Sequence, residues 1–121
     1  MSSKKTLVIG ASENEWRYSF LAVNKLLDKG FEVVAIGSRS GKIKNVVIET
    51  GFPDFKNIDT VTLYLSEKNQ KRFYDYILKL NPRRIIFNPG AENNELFDLA
   101  IRNKIEPIDA CTLVMLATGE F

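Results

Sequence analysis

The chain has 121 residues, 45% of them hydrophobic, with seventeen Lys and Arg against fifteen Asp and Glu and no histidine. That is enough apolar material for the core of a single domain spanning residues 1–121, and a scattered net charge of +2 offers no footprint for nucleic acid or membrane. Without histidine the commonest general base, the Ser–His nucleophile pair and most zinc sites are excluded; the single cysteine excludes an internal disulfide and makes a reducing cytoplasm the expected location.

Met1 to Lys4 is polar and expected to fray, and no apolar segment there resembles a signal peptide or membrane span. Thr6-Leu7-Val8-Ile9 follows, apolar at consecutive positions, the pattern of a strand covered on both faces by helices. It runs into Gly10-Ala11-Ser12, where Gly10 permits a sharp turn and lets a ligand approach bare backbone. Arg17-Tyr18-Ser19 opens a helix with Ser19 as expected N-cap and Phe20, Val23, Leu26 and Leu27 as its inner face, ending at Gly30. Loop amides and the positive helix end thus meet at one anion-binding spot.

Phe31 to Ile36 is the second strand, and it exits into Gly37-Ser38-Arg39-Ser40-Gly41-Lys42. The stretch from Gly37 to Asp59 is irregular; its Val46-Val47-Ile48 suits either an edge strand or one helical turn. Thr60 to Leu65 is a β-branched third strand, and Ser66 caps a helix whose inward residues are Phe73, Tyr76, Ile77 and Leu80, stopped by Asn81-Pro82. Arg84 to Phe87 forms the fourth strand, followed by the turn Asn88-Pro89-Gly90-Ala91. Asn93 or Asn94 caps the next helix, with Leu96, Phe97, Ala100 and Ile101 facing inward. Ile105 to Ile108 is a short fifth strand, and Ala110 to Leu116 a last helix ending near Gly119.

Such alternation predicts a three-layer, Rossmann-like α/β domain with a five-stranded parallel sheet in the order 3-2-1-4-5. Its strand order reverses between the first and fourth strands, and ligands in such sheets bind beyond the carboxyl ends at the reversal. The Gly10 and Asn88-Pro89-Gly90 turns are expected to converge there. A fold binding NAD places an acidic residue at the exit of the second strand; here hydroxyls and cations, Ser38, Arg39 and Lys42, suit a phosphate on the ribose. The 3′-phosphate of coenzyme A and the 2′-phosphate of NADP both fit.

The loop Gly10-Ala11-Ser12, the Arg17-Tyr18-Ser19 helix entry, Ile58-Asp59-Thr60-Val61, Asn88-Pro89-Gly90 with Glu92-Asn93, and Cys111-Thr112-Leu113 together resemble the small stand-alone CoA-binding proteins. These are relatives of the CoA-binding domain of succinyl-CoA synthetase alpha subunits, and the resemblance spans essentially the whole chain. It implies a Rossmann-type domain holding coenzyme A or an acyl-CoA at the strand exits. By position it places Ala11 and Ser12, after the Gly10 turn, at phosphate or pantetheine, with Arg17 and Ser19 at the helix entry. Ile36, Gly37, Ser38 and Arg39 would line the nucleotide end, where relatives often have Asn-Pro-Lys. Leu65 and Ser66 would approach adenine or ribose, and Pro89 and Gly90 would pack on the pantetheine arm. The synthetases' catalytic histidine and second domain are both missing, so ligase activity is not implied.

Cys111 is expected to be a small buried apolar residue rather than a reactive thiol. Trp16 and Tyr18 flank the anion loop, either covering a bound ligand or packing on the sheet edge. Asp59 and Asp109 adjoin strand boundaries and carry no acid–base role. The expectation is a non-catalytic binder of CoA or acyl-CoA: a carrier, sensor or partner subunit. The rivals are a minimal NADP-binding reductase-like protein, for which no chain is left to build a substrate domain, and an interaction module without a ligand. Leu113, Met115 and Leu116 offer a homodimer or protein-partner patch, with core packing the simpler account.

Overall fold

A computed structural model of the chain describes residues 4–121, so the fraying expected of residues 1–3 lies outside the described residues. Seven strands form one sheet: β1 (Thr6–Ile9), β2 (Val33–Ile36), β3 (Gly41–Ile43), β4 (Val46–Glu49), β5 (Thr60–Leu63), β6 (Arg84–Phe87) and β7 (Glu106–Asp109). Helices α1 (Tyr18–Asp28), α2 (Glu67–Gln70), α3 (Tyr74–Leu80), α4 (Asn94–Arg102) and α5 (Thr112–Thr118) cover it, α2 and α3 being joined by a 3-10 turn at Lys71–Phe73. β1, β5 and β6 are buried at every position, as their unbroken apolar and β-branched runs require.

The three-layer α/β architecture stands, but the sheet is larger and ordered differently from the expectation. Its order is β3-β4-β2-β1-β5-β6-β7, parallel except for the β3–β4 hairpin. The irregular stretch supplies that hairpin: Gly41 to Ile43 pairs with Val46 to Ile48, and Ala35 and Ile36 of β2 pair with Ile48 and Glu49. With the outer edge of β2 occupied, the next strand joins the free edge of β1 instead, in the register Thr6 to Thr60 and Ile9 to Leu63. The strand order therefore reverses between β1 and β5, not between β1 and β6.

One face of the sheet packs Val8, Ala35, Ile48 and Ile86 against Val23 and Leu26 of α1 and Met115 and Leu116 of α5. The other packs Leu7, Ile9, Val61, Ile85 and Phe87 against Ile58, Phe73, Ile77, Leu96 and Ala100. Arg17, not Ser19, is the N-cap of α1, and Ser19 is buried at the helix's second position. Asn93 caps α4, its side chain accepting from the Leu96 N–H at 3.1 Å. Ile101, expected to face inward, is exposed, since α4 turns only Leu96 and Ala100 fully onto the sheet. Met115 and Leu116 are core residues, which leaves Val114 as the exposed apolar side chain of α5 rather than a contiguous patch.

Candidate functional site

The carboxyl ends of β1, β2, β5 and β6 open onto three depressions that merge through shared walls. The first, about 280 Å³, lies between the exits of β1, β2 and β5 and is walled by Ile9, Gly10, Ile36, Gly37, Leu65 and Phe73, with Ser38, Gly51, Asn69 and Arg72 at its rim. A second, about 200 Å³, is bounded by Gly10, the α1 entry at Arg17, Tyr18 and Ser19, the β5 exit at Tyr64, Leu65 and Ser66, and Pro89-Gly90-Ala91. The third, about 440 Å³, is polar, lined by Ala11, Ser12, Glu13, Asn14, Arg17, Ser38, Arg39 and Ser40. Gly10 and Leu65 join the first to the second, Arg17 the second to the third, and Ser38 the first to the third.

Gly10, Ala11, Ser12, Arg17, Ser19, Ile36, Gly37, Ser38, Arg39, Leu65, Ser66, Pro89 and Gly90 all line these depressions. Lys42 does not line the depressions; its backbone N–H, at the start of β3, donates to Glu13 Oε2 at 2.9 Å. Two of these glycines are required by close approach of the protein's own backbone. A Cβ on Gly10, whose φ is +98°, would stand 2.6 Å from the Tyr64 carbonyl oxygen, so the β5 exit itself requires a glycine here. A Cβ on Gly37 would meet the Ala11 carbonyl oxygen at 2.4 Å, so two site loops cross there. The Gly10 and Ala11 N–H groups both donate to the Ile36 carbonyl at 2.9 Å and are not available to an anion. What remains for an anion is the α1 entry, which no side chain caps, together with Arg17 and Arg39.

Those two cations, and Arg72, form no ion pair among the described residues. A cation without an internal partner at a concave surface is available to an anionic or aromatic ligand. Glu13, Asn14, Asn69, Arg72 and Tyr64 line the depressions without having been singled out in the sequence. Glu13 and Asn14 lay within the glycine-loop spacing and could have been included; Asn69 and Arg72 sit in a helical pattern whose polar residues look like solvated surface. Trp16 and Tyr18 do not pack on the sheet edge: they are 93% and 71% exposed beside the cleft.

Beneath the cleft, buried amides fix the loops. Gln70 is fully buried, and its Nε2 donates to the Leu65 carbonyl at 2.8 Å and the Ala91 carbonyl at 2.7 Å, while its Oε1 accepts from Asn93 Nδ2 at 2.9 Å. One side chain therefore ties the β5 exit to the β6 exit. Asn88 does the same from the other face, donating to Thr62 Oγ1 at 2.6 Å and the Leu63 carbonyl at 2.9 Å and accepting from the Thr112 N–H at 2.8 Å. Buried amides satisfied at both ends hold loops in one geometry. Tyr64 Oη is buried beside the Thr62 and Thr112 hydroxyls, which bond each other at 2.8 Å, and makes no well-formed hydrogen bond of its own. Burial pushes its phenol up to about 12. Cys111, half-buried, precedes α5.

A family model described as a CoA binding domain matches residues 4–117. The chain belongs to the CoA-binding domain family. A solved structure of an uncharacterized protein is 44% identical to this member, with a TM-score of 0.96 and 100% of each chain covered. A hypothetical protein from Pyrococcus horikoshii OT3 has a TM-score of 0.87 at 18% identity, covering 96% of this chain and 83% of that one. A Thermus thermophilus protein has a TM-score of 0.85 at 15% identity, covering 98% and 91%. At such identities the last two show a shared fold alone. No curated protein matches the sequence. In this family member no helix among the described residues is long and apolar enough to cross a membrane, and no cluster of three or more metal-ligating side chains occurs among them.

Proposed function

We propose that the chain holds coenzyme A or an acyl-CoA across the merged depressions and is not a catalyst by itself, acting as a carrier, sensor or partner subunit. The observation that carries this is the pairing of a polar depression bearing Arg17 and Arg39, both without carboxylate partners, with an apolar-walled depression that meets it at Ser38. CoA has the same division: a flat base on one side, and on the other a ribose phosphate and a pyrophosphate. Arg39, with Ser38, meets the 3′-phosphate; Arg17 and the α1 entry, with Ala11 and Ser12 beside them, meet the pyrophosphate. The depression along Leu65, Ser66, Pro89 and Gly90 takes the pantetheine arm.

The same Ser38, Arg39 and Ser40 edge suits a 2′-phosphate, so NADP is the second reading. Tyr64 and Lys68 have the Tyr-x-x-x-Lys spacing of a reductase proton donor. Yet the Tyr64 hydroxyl is sealed from solvent, and its phenol is moved to about 12, away from the range in which it would donate a proton readily at neutral pH. Thermal melts of the purified protein with CoA, acetyl-CoA, NADP and ADP in parallel separate the readings. A ligand at a hundred times its dissociation constant stabilises by about 2.7 kcal/mol. A shift with CoA and not NADP is the expected result; the reverse favours the reductase-like protein, and no shift with any of them favours a module that binds another macromolecule.

A further inference from the structure

Resting on the CoA reading, we infer that Arg72 closes over the adenine ring and is the residue that selects the coenzyme's base. Its guanidinium lies 5.4 Å from the Phe52 ring centroid and 5.1 Å from that of Phe73, held by two aromatic faces. It forms no ion pair among the described residues, so these rings rather than a carboxylate position it. Phe52, next to Gly51 of the apolar depression's lining, is 51% exposed with the cation against it. Arg72 lines that depression and not the polar one where Ser12, Arg17 and Arg39 gather.

The chemistry of the walls assigns the halves. Ile36, Leu65 and Phe73 are apolar and suit a flat heteroaromatic ring, which gains little from a surface of hydroxyls and charges. A guanidinium stacks on aromatic rings through its plane, and an adenine ring is one more such face. Asn69, on the same rim, donates to Ser66 Oγ at 3.2 Å and keeps an amide oxygen for a ring amino group. Arg72 is then a base contact, distinct in task from the phosphate-binding Arg17 and Arg39.

Calorimetric titration of the full chain with CoA, adenosine 3′,5′-bisphosphate and 4′-phosphopantetheine tests this, with wild type compared to Arg72→Ala and Arg72→Lys and the ligand-free melting temperature recorded for each. Arg72→Ala is expected to weaken CoA and the bisphosphate equally, by about tenfold, with phosphopantetheine affinity unchanged and the ligand-free melt lowered only by the loss of the two ring contacts. Arg72→Lys, which keeps the charge and loses the plane, is expected to recover only a minor part. Unchanged CoA affinity in Arg72→Ala, an equal loss for phosphopantetheine, or full recovery by lysine would overturn the assignment while leaving CoA binding intact. Failure of the wild type to bind CoA at all removes the coenzyme reading itself, a separate result.

Discussion

The two ends of the sheet handle charge in opposite ways. At the amino ends Arg83 and Arg84 are both tied to neighbouring groups. Arg83 forms two contacts with the Asp59 carboxylate, at 3.0 and 3.2 Å, and Arg84 donates to Thr60 Oγ1 at 2.8 Å and the Phe121 main-chain oxygen at 2.7 Å while lying 4.4 Å from the Phe121 ring centroid. Burial alone would raise the Asp59 carboxyl, but hydrogen bonds from Arg83 and Thr60, with the charges of Arg83 and Arg84, outweigh it and hold the group below its ordinary value. At the carboxyl ends Arg17, Arg39 and Arg72 form no ion pair among the described residues, Arg72 lying only against the Phe52 and Phe73 rings. Paired charges hold a fold together, whereas a cation left open at a cleft is available to a ligand. On the CoA reading one end is scaffold and the other is the site we propose.

That contrast breaks most readily at the scaffold end. Arg84→Ala removes two hydrogen bonds and a ring contact from a side chain that is 4% exposed, and should lower unfolding free energy in urea by about 3 kcal/mol. Where the variant still folds, its CoA affinity should match the wild type; a loss of affinity larger than the loss of stability would blur the division. Arg39→Ala should do the reverse, leaving stability within about 0.5 kcal/mol and weakening CoA by about tenfold while dephospho-CoA binding barely moves. Equal losses for the two ligands would separate Arg39 from the 3′-phosphate.

The smallest effect sharpens the boundary between the two regions. Tyr64 lies under the site and is raised by burial to about 12 from an ordinary 10.0, and Tyr76 is likewise raised to about 12 by burial. A raised folded value means that their stabilisation is complete below pH 10 and is lost as pH climbs from about 10 to about 12. Tyr64→Phe removes a hydroxyl that makes no well-formed hydrogen bond, so at neutral pH it should leave stability unchanged or raise it by about 1 kcal/mol, and it should shrink the alkaline loss. A destabilised Tyr64→Phe at pH 7 would mean that the hydroxyl has a partner after all.

The scaffold was the more legible region in the sequence. Leu7-Val8-Ile9 and Ile85-Ile86-Phe87 announce doubly covered strands, Asn93 announces a cap, and Asn81-Pro82 a helix end. The β3–β4 hairpin was not legible because its strands are only three and four residues long and its turn is made by Lys44 at a φ of 52°, where a glycine would have signalled it. Missing that hairpin left the edge of β2 free in the expected topology and so misplaced β5. The site loops were legible as glycine and hydroxyl turns, but the side chains that lock and complete them were not. Gln70 and Arg72 occupy polar positions of a helical pattern, and nothing local distinguishes a buried clamp or an aromatic-held cation from ordinary solvated surface.

The direct test of the division is a map of backbone amide chemical shifts as CoA is titrated into the labelled protein. Large changes are predicted at Ser12, Ser38, Leu65 and Gly90, beyond the strands' carboxyl ends, with Lys5, Asp59, Arg83 and Glu106 unmoved. Changes centred on the amino ends, or none at millimolar CoA, would contradict the account.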